Sequence, residues 1–288
     1  MLKTMLAHAG SSLCLALMLI VVMQSCKKSD VREETVTPAQ IEELRAFIAN
    51  TTGQQENQVT YSATTKTFHV ATDGLISLSD AQARLKAEPT TGTKSTEGTQ
   101  QRSYAYLVSR TNATTITMYA DATVPADWSS ALDQAISNWN STNSLVFFKR
   151  VYNSTTTTTT GGNGRGKKNN GGTTTTTVTP SYNVLVTTLY DATTNMIAQA
   201  YYPDYYGNSG KEVDINTYYN TLSASYKTFA ITHEMGHIIG FTHTDGTYGN
   251  LIPGTPETDP NSVMNSFVLP WNGFTPYDVL AATTVYPK

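Results

Sequence analysis

The 288-residue chain is poor in charge: Asp, Glu, Lys and Arg supply 14% of it, with a formal net charge of −3, where about 25% is usual. It has no basic block, so nucleic acid is excluded as the main partner. Cysteine is almost missing, with Cys14 and Cys26 alone. The longest apolar run, Leu13 to Met23, has about 11 residues, well short of the roughly 20 that a helix needs to cross a bilayer. Aromatics reach 10%, enough to fill a core and to exclude wholesale disorder. Threonine takes the place of charge at about one residue in six, an excess typical of extracytoplasmic surfaces. The length suits one good-sized domain or two small ones.

Met1-Leu2-Lys3, the apolar run and then Gln24-Ser25-Cys26-Lys27-Lys28 describe a secretory signal over residues 1–25. An uncleaved membrane anchor is the alternative. Met23-Gln24-Ser25-Cys26 resembles a bacterial lipobox, with Met and Gln where Leu and a small residue usually stand. The resemblance implies that Cys26 is lipidated and that the protein sits at the bacterial cell envelope or is secreted. If Cys14 leaves with the signal and Cys26 carries lipid, no disulfide remains, and the core must hold the fold with help from a metal.

Residues 26–102 read as a tether, a small N-terminal α/β unit and a polar linker. Thr37-Pro38 caps an amphipathic helix carrying Ile41, Leu44, Phe47 and Ile48. Val59-Thr60-Tyr61 and Thr67-Phe68-His69-Val70 alternate like a hairpin, and a second short helix starts at Ser79 or Asp80. Glu88 to Arg102 has almost nothing apolar and reads as the linker. The main domain spans 103–288. A strand is expected over Thr114–Ala120, then a core helix from Pro125 with Trp128, Leu132, Ala135, Ile136 and Trp139 on one stripe. A strand over Ser144–Tyr152 follows, and three more over Tyr182–Tyr190, Met196–Tyr202 and Glu212–Tyr218. Between them, 153–180 offers nothing apolar before Val178 and reads as a flexible surface insertion.

Residues 233–243 read His-Glu-Met-Gly-His-Ile-Ile-Gly-Phe-Thr-His, the pattern HExxHxxGxxH. His233 and His237 lie four apart, so on a helix they share one face and reach one ion. Glu234 points to where a water on that ion would sit. Gly240 permits the positive φ that ends the helix and returns the chain, bringing in His243. Three imidazoles and a water make an open catalytic Zn2+ site. Chance supplies this pattern in on the order of 10⁻⁵ of chains this long.

The motif resembles that of the metzincin zinc metallopeptidases, which share a later methionine turn, matched here by Ser262-Val263-Met264-Asn265. His-Glu-Met-Gly-His with Gly-Phe-Thr-His-Thr is most similar to the bacterial, matrixin-related HEIGH metallopeptidases. The resemblance covers roughly Tyr104 to Lys288. It implies an α+β fold: a twisted, mostly parallel sheet of about five strands, a backing helix, the zinc helix and a small C-terminal subdomain closed by a helix from Thr275-Pro276. It implies that Met264 forms an apolar floor beneath the imidazoles and that Met196–Tyr202 is an edge strand pairing with extended substrate. Ser266 stands where some relatives carry a zinc-binding Tyr, so no tyrosine is assigned to the metal. Neither cysteine suits a latency switch. Asp73 reads as a turn residue, or alternatively as a latency ligand, as an aspartate is in astacins.

The expected activity is zinc-dependent endopeptidase action on extracytoplasmic proteins, by a metal-activated water with Glu234 as general base. The alternatives are a catalytically silent or latent surface binding lipoprotein and a zinc amidase acting on cell-wall material. Expected partners are a protein or peptide substrate and, through the lipid, a membrane; a monomer is expected. Asp245 either orients a ligand or binds solvent, and Asp204, Asn208 and Asp214 are candidates for a structural Ca2+.

Overall fold

The computed structural model describes residues 36–87, 102–159, 173–245, 250–256 and 259–288. The signal segment with Cys14 and Cys26, and the linker as far as Gln101, lie outside them. No helix among the described residues is long and apolar enough to cross a membrane.

Thr37 caps α1 (Pro38–Thr52) through a reciprocal pair with Gln40, and Gly53 in the left-handed region ends it. Strands β1 (Val59–Ser62) and β2 (Thr67–Val70) form the expected hairpin, paired Val59 to Val70 and Ser62 to Thr67. A third short strand, β3 (Gly74–Ser77), pairs back on β2, and α2 (Leu78–Ala87) follows. Then come β4 (Arg102–Ser103), a one-turn helix α3 (Arg110–Ala113) and β5 (Ile116–Ala120). The backing helix α4 (Ala126–Asn140) buries the expected stripe, including Trp128 and Trp139. Their indole N–H groups are satisfied inside the protein, by Asn220 Oδ1 at 2.8 Å and by Thr232 O at 2.9 Å.

Strand β6 (Phe148–Val151) is shorter than the sequence pattern suggests, because Asn140 Oδ1 and Nδ2 take up the backbone of Phe148 and fix where pairing starts. The expected flexible insertion contains two exposed strands, β7 (Ser154–Thr159) and β8 (Thr173–Val178), in antiparallel register Ser154 to Val178. Facing threonines explain the pairing: their β-branched side chains favour extended backbone without needing a core. The strands β9 (Val184–Leu189), β10 (Ala198–Tyr201) and β11 (Glu212–Asn216) follow, then α5 (Ala224–Ile239), β12 (Phe241–Thr242), β13 (Asn250–Leu251) and α6 (Pro276–Val285). Thr275 caps α6, with Asp278 completing a reciprocal pair.

The main sheet runs β1-β2-β3-β10-β11-β9-β5-β6. Its last five strands are the expected mostly parallel sheet, with only the β10–β11 pair antiparallel. The N-terminal strands extend that sheet: β3 pairs parallel to β10, with Ala200 opposite Gly74 and Tyr201 opposite Leu75. Residues 37–288 accordingly form one compact unit. Helices α4 and α5 cover the catalytic strands, and the core between them includes Met118, Leu132, Val186, Ile231 and Ile238.

Candidate active site and metal centre

Helix α5 carries His233, Glu234 and His237, all buried. His233 Nδ1 lies 2.6 Å from Val263 O and His237 Nδ1 lies 2.8 Å from Phe241 O. A carbonyl can only accept, so both Nδ1 atoms donate and both Nε2 lone pairs point inward. Gly240 adopts φ 102°, and a Cβ there would stand 2.8 Å from Leu107 Cδ2. The reversed chain brings His243 Nε2 to 3.2 Å from His237 Nε2 and 3.3 Å from His233 Nε2. The helix end is fixed from outside: Tyr104 N donates to Gly240 O at 2.6 Å, and the Tyr286 hydroxyl donates to Ile239 O.

A fourth donor completes the group. Asp73, in the β2–β3 turn, places Oδ2 at 3.4 Å from His233 Nε2, and Oδ1 at 3.4 Å from His237 Nε2 and 3.2 Å from His243 Nε2. The three imidazoles expected from the sequence are brought together, and the Asp73 carboxylate stands with them. Asp73 is no ordinary turn residue. The β3–β10 pairing carries its turn over α5, with Ala200 N donating to Asp73 O at 2.8 Å.

The donors fit zinc. A tetrahedron with Zn–N of 2.0–2.1 Å separates its ligand atoms by about 3.3 Å; here His243 Nε2 stands 3.2 Å and 3.3 Å from the other two Nε2 atoms, and Asp73 reaches the three imidazoles with its two oxygens at 3.2–3.4 Å. Inward-facing lone pairs at this spacing repel one another unless a cation lies between them. Among the described residues this is the grouping of His, Cys, Asp and Glu with metal-ligand geometry. Burial pushes the His237 imidazole down to about 4, which keeps it neutral as a ligand must be. Burial lowers His243 too, but the Asp73 carboxylate outweighs it and holds the group above its ordinary value. Burial would raise Asp73, yet the charge of His243 and the close approach of the three imidazoles hold it well below the usual carboxylate range.

Glu234 is buried beside this group, and its Oε2 has no hydrogen-bond partner among the described residues. Burial, then the Asp73 charge, push its carboxyl well up. On the same side opens a cleft of about 420 Å³, lined by Met196, Ile197, Phe229, Ser266, Phe267 and Val268. It lies between one end of the β10 segment and the loop after Met264.

Met264 is buried, and its sulfur lies against the backbone of Gly236, where a Cβ would run into it. The turn is held from α6: Ser262 Oγ donates to Asp278 Oδ1 at 2.7 Å and Val263 N to Oδ2 at 3.2 Å. Met264 O accepts from Thr244 N at 2.9 Å, tying the turn to the residue after His243. Ser266 donates to Asp245 through both N and Oγ, so Asp245 joins the two loops. Asp204 and Asn208 bond each other within a turn, while Asp214 accepts from Gln199 on the sheet at 2.8 Å. The three candidates for Ca2+ are not brought together.

Sequence reading passed over two further residues. Tyr202 sets its ring 5.1 Å from that of His237. Arg84 is fully buried although it sits in a polar-looking helix. Neither carries a motif, and only the sheet extension explains their positions.

A family model described as a dual-action HEIGH metallo-peptidase matches residues 69–286. No curated protein matches. Among solved structures, myroilysin is similar at 15% identity and TM-score 0.38, over 62% of this chain and 85% of that one. A second myroilysin structure gives 14% and 0.39, over 62% of this chain and 81% of that one. High choriolytic enzyme 1, a hatching-enzyme zinc protease of the medaka Oryzias latipes, gives 12% and 0.36, over 63% of this chain and 93% of that one.

Proposed function

The chain belongs to the HEIGH metallopeptidase family, and from that premise we propose that it is a zinc endopeptidase of extracytoplasmic proteins, held latent in the intact chain by its own residues 37–87. The observation that carries the catalytic part is the buried Glu234 carboxyl, whose Oε2 has no hydrogen-bond partner among the described residues, beside three converging imidazoles. His233, His237 and His243 would hold a zinc ion, which when bound would supply the positive charge that polarises a scissile carbonyl. Glu234 accepts a proton from the attacking water and returns it to the leaving amine. His233 and His237 stay fixed by their carbonyl partners, and the cleft toward Phe267 receives substrate on one side of the cut.

Latency rests on two contacts. Asp73 would take the fourth position on a bound zinc and close it, whereas a catalytic zinc keeps one place open. Strand β3 occupies the β10 edge, where an extended substrate would pair. Both contacts leave together if the chain is cut after α2. Lipid attachment at Cys26, and with it placement at the cell envelope, rests on the lipobox resemblance and belongs to the same proposal. The sequence order signal, tether, inhibitory unit, catalytic part suits a protein exported before it acts.

The test is zinc content and casein hydrolysis on protein from residue 27 onward, beside Glu234→Ala, each before and after limited proteolysis. About one zinc per chain with activity appearing only on proteolysis, and only with Glu234 present, supports the proposal. Activity before cleavage equal to that after it rules out latency. Release of cell-wall fragments without casein cleavage would point to an amidase.

A further inference from the structure

Burying a guanidinium is costly unless its charge and its N–H groups are met. Arg84, on α2, is wholly buried. It pairs with Asp80 one turn earlier, and its terminal nitrogens donate to the Tyr104 hydroxyl and to Pro203 O. Its central carbon lies 4.7 Å from the ring centre of Tyr104 and 4.3 Å from that of Tyr106. The Asp204 carboxylate is a further favourable charge nearby. Of these groups only Asp80 travels with α2. The rings, the carbonyl and Asp204 all belong to the part after the linker.

The position of this hollow matters. Pro203 follows directly on the β10 edge, whose last contact with β3 is Tyr202 N donating to Leu75 O at 3.0 Å. The Tyr202 ring stands 4.9 Å from Tyr104 and 5.1 Å from His237. One aromatic ring therefore separates the hollow from a zinc-site histidine, at the opposite end of β10 from the cleft beside Phe267. Anchoring alone does not call for arginine, since a well-packed apolar side chain in place of a buried ion pair is often as stable or more so. Two flanking rings with two separately placed acceptors match the planar, forked guanidinium and not a point-like ammonium.

We propose that Tyr104, Tyr106 and the Pro203 carbonyl form a guanidinium-binding subsite of the catalytic cleft, filled by Arg84 in the intact chain and by an arginine of the polypeptide substrate once residues 37–87 have left. The substrate half rests on the reading of those residues as a removable inhibitor. Asp204 then supplies the nearby negative charge in place of Asp80.

The subsite is tested first without reference to activity. Full-length Arg84→Ala is melted in methylguanidinium and in methylammonium at equal ionic strength, beside the unaltered chain. A saturable rise in Tm for the variant alone, with methylguanidinium alone, is expected; equal responses of the two chains overturn the proposal. The second measurement reads substrate preference. Peptides carrying arginine or citrulline at successive positions are offered to the full chain after limited proteolysis. One position on one side of the cut is expected to favour arginine about 10-fold or more in kcat/KM, and Tyr106→Leu to reduce that ratio. Equal kcat/KM at every position overturns the substrate half. If no peptide is cleaved at all, the peptidase reading fails, while the melting comparison still decides the subsite.

Discussion

Histidines and aspartate reach the same tetrahedron by opposite means. His233 and His237 are held by one rigid helix, and each ring is clamped by a backbone carbonyl on its far side. Outer hydrogen bonds of this kind fix ring orientation and commonly contribute 10–100-fold to metal affinity. Asp73 comes from a hairpin turn more than 150 residues earlier in the chain. Its position depends on a two-residue strand pairing, and its Oδ1 has no hydrogen-bond partner among the described residues. The histidine donors are preorganised; the aspartate is delivered. A donor delivered by weak pairing can be withdrawn without disturbing the others, as a latent enzyme requires.

The largest expected effect tests the preorganised half. Glu234→Ala should lower casein hydrolysis by about 10²–10⁴-fold after proteolysis, with zinc content unchanged by metal analysis. Loss of zinc together with activity would mean that Glu234 helps to hold the metal. Asp73→Ala tests the delivered half: intact chain should gain on the order of 10-fold in activity through the opened position, yet remain below the proteolysed enzyme because β3 still covers β10. If the variant instead loses zinc, as read by metal analysis, Asp73 is an integral ligand and the contrast collapses. Gly236→Ala drives a methyl into Met264 and should cost about 1–3 kcal/mol by denaturant titration, with most of the loss within α5. Deleting residues 155–177 removes the exposed threonine strands β7 and β8 and should shift stability by no more than about 0.5 kcal/mol.

The catalytic half was legible because its chemistry is local. HExxHxxGxxH fits within one helix and its return turn, and the Trp128–Trp139 stripe repeats at helical spacing. Met264 follows His243 by about twenty residues, so its turn reads as part of the same local motif. The inhibitory half was far less legible. Gly74-Leu75-Ile76-Ser77 is too short to show alternation, so β3 and its union with β10 gave no periodic signal. Without β3, Asp73-Gly74 is indistinguishable from any turn, and Arg84 looks like an exposed helical residue. The threonine tracts failed for another reason: absence of apolar residues argued against order, whereas facing threonines can pair as strands without a core.

Tyr286 carries a consequence for the order in which the protein is made. Its hydroxyl accepts from Val108 N at 3.1 Å and donates to Ile239 O, 47 residues upstream, at the point where the zinc helix ends. A ribosome adds about 5–20 residues per second, so the helix end waits a few seconds after Ile239 for the tyrosine that secures it. Asp73 and β3 have emerged long before. On the proposed reading, the segment that restrains the site is therefore made before that site is finished.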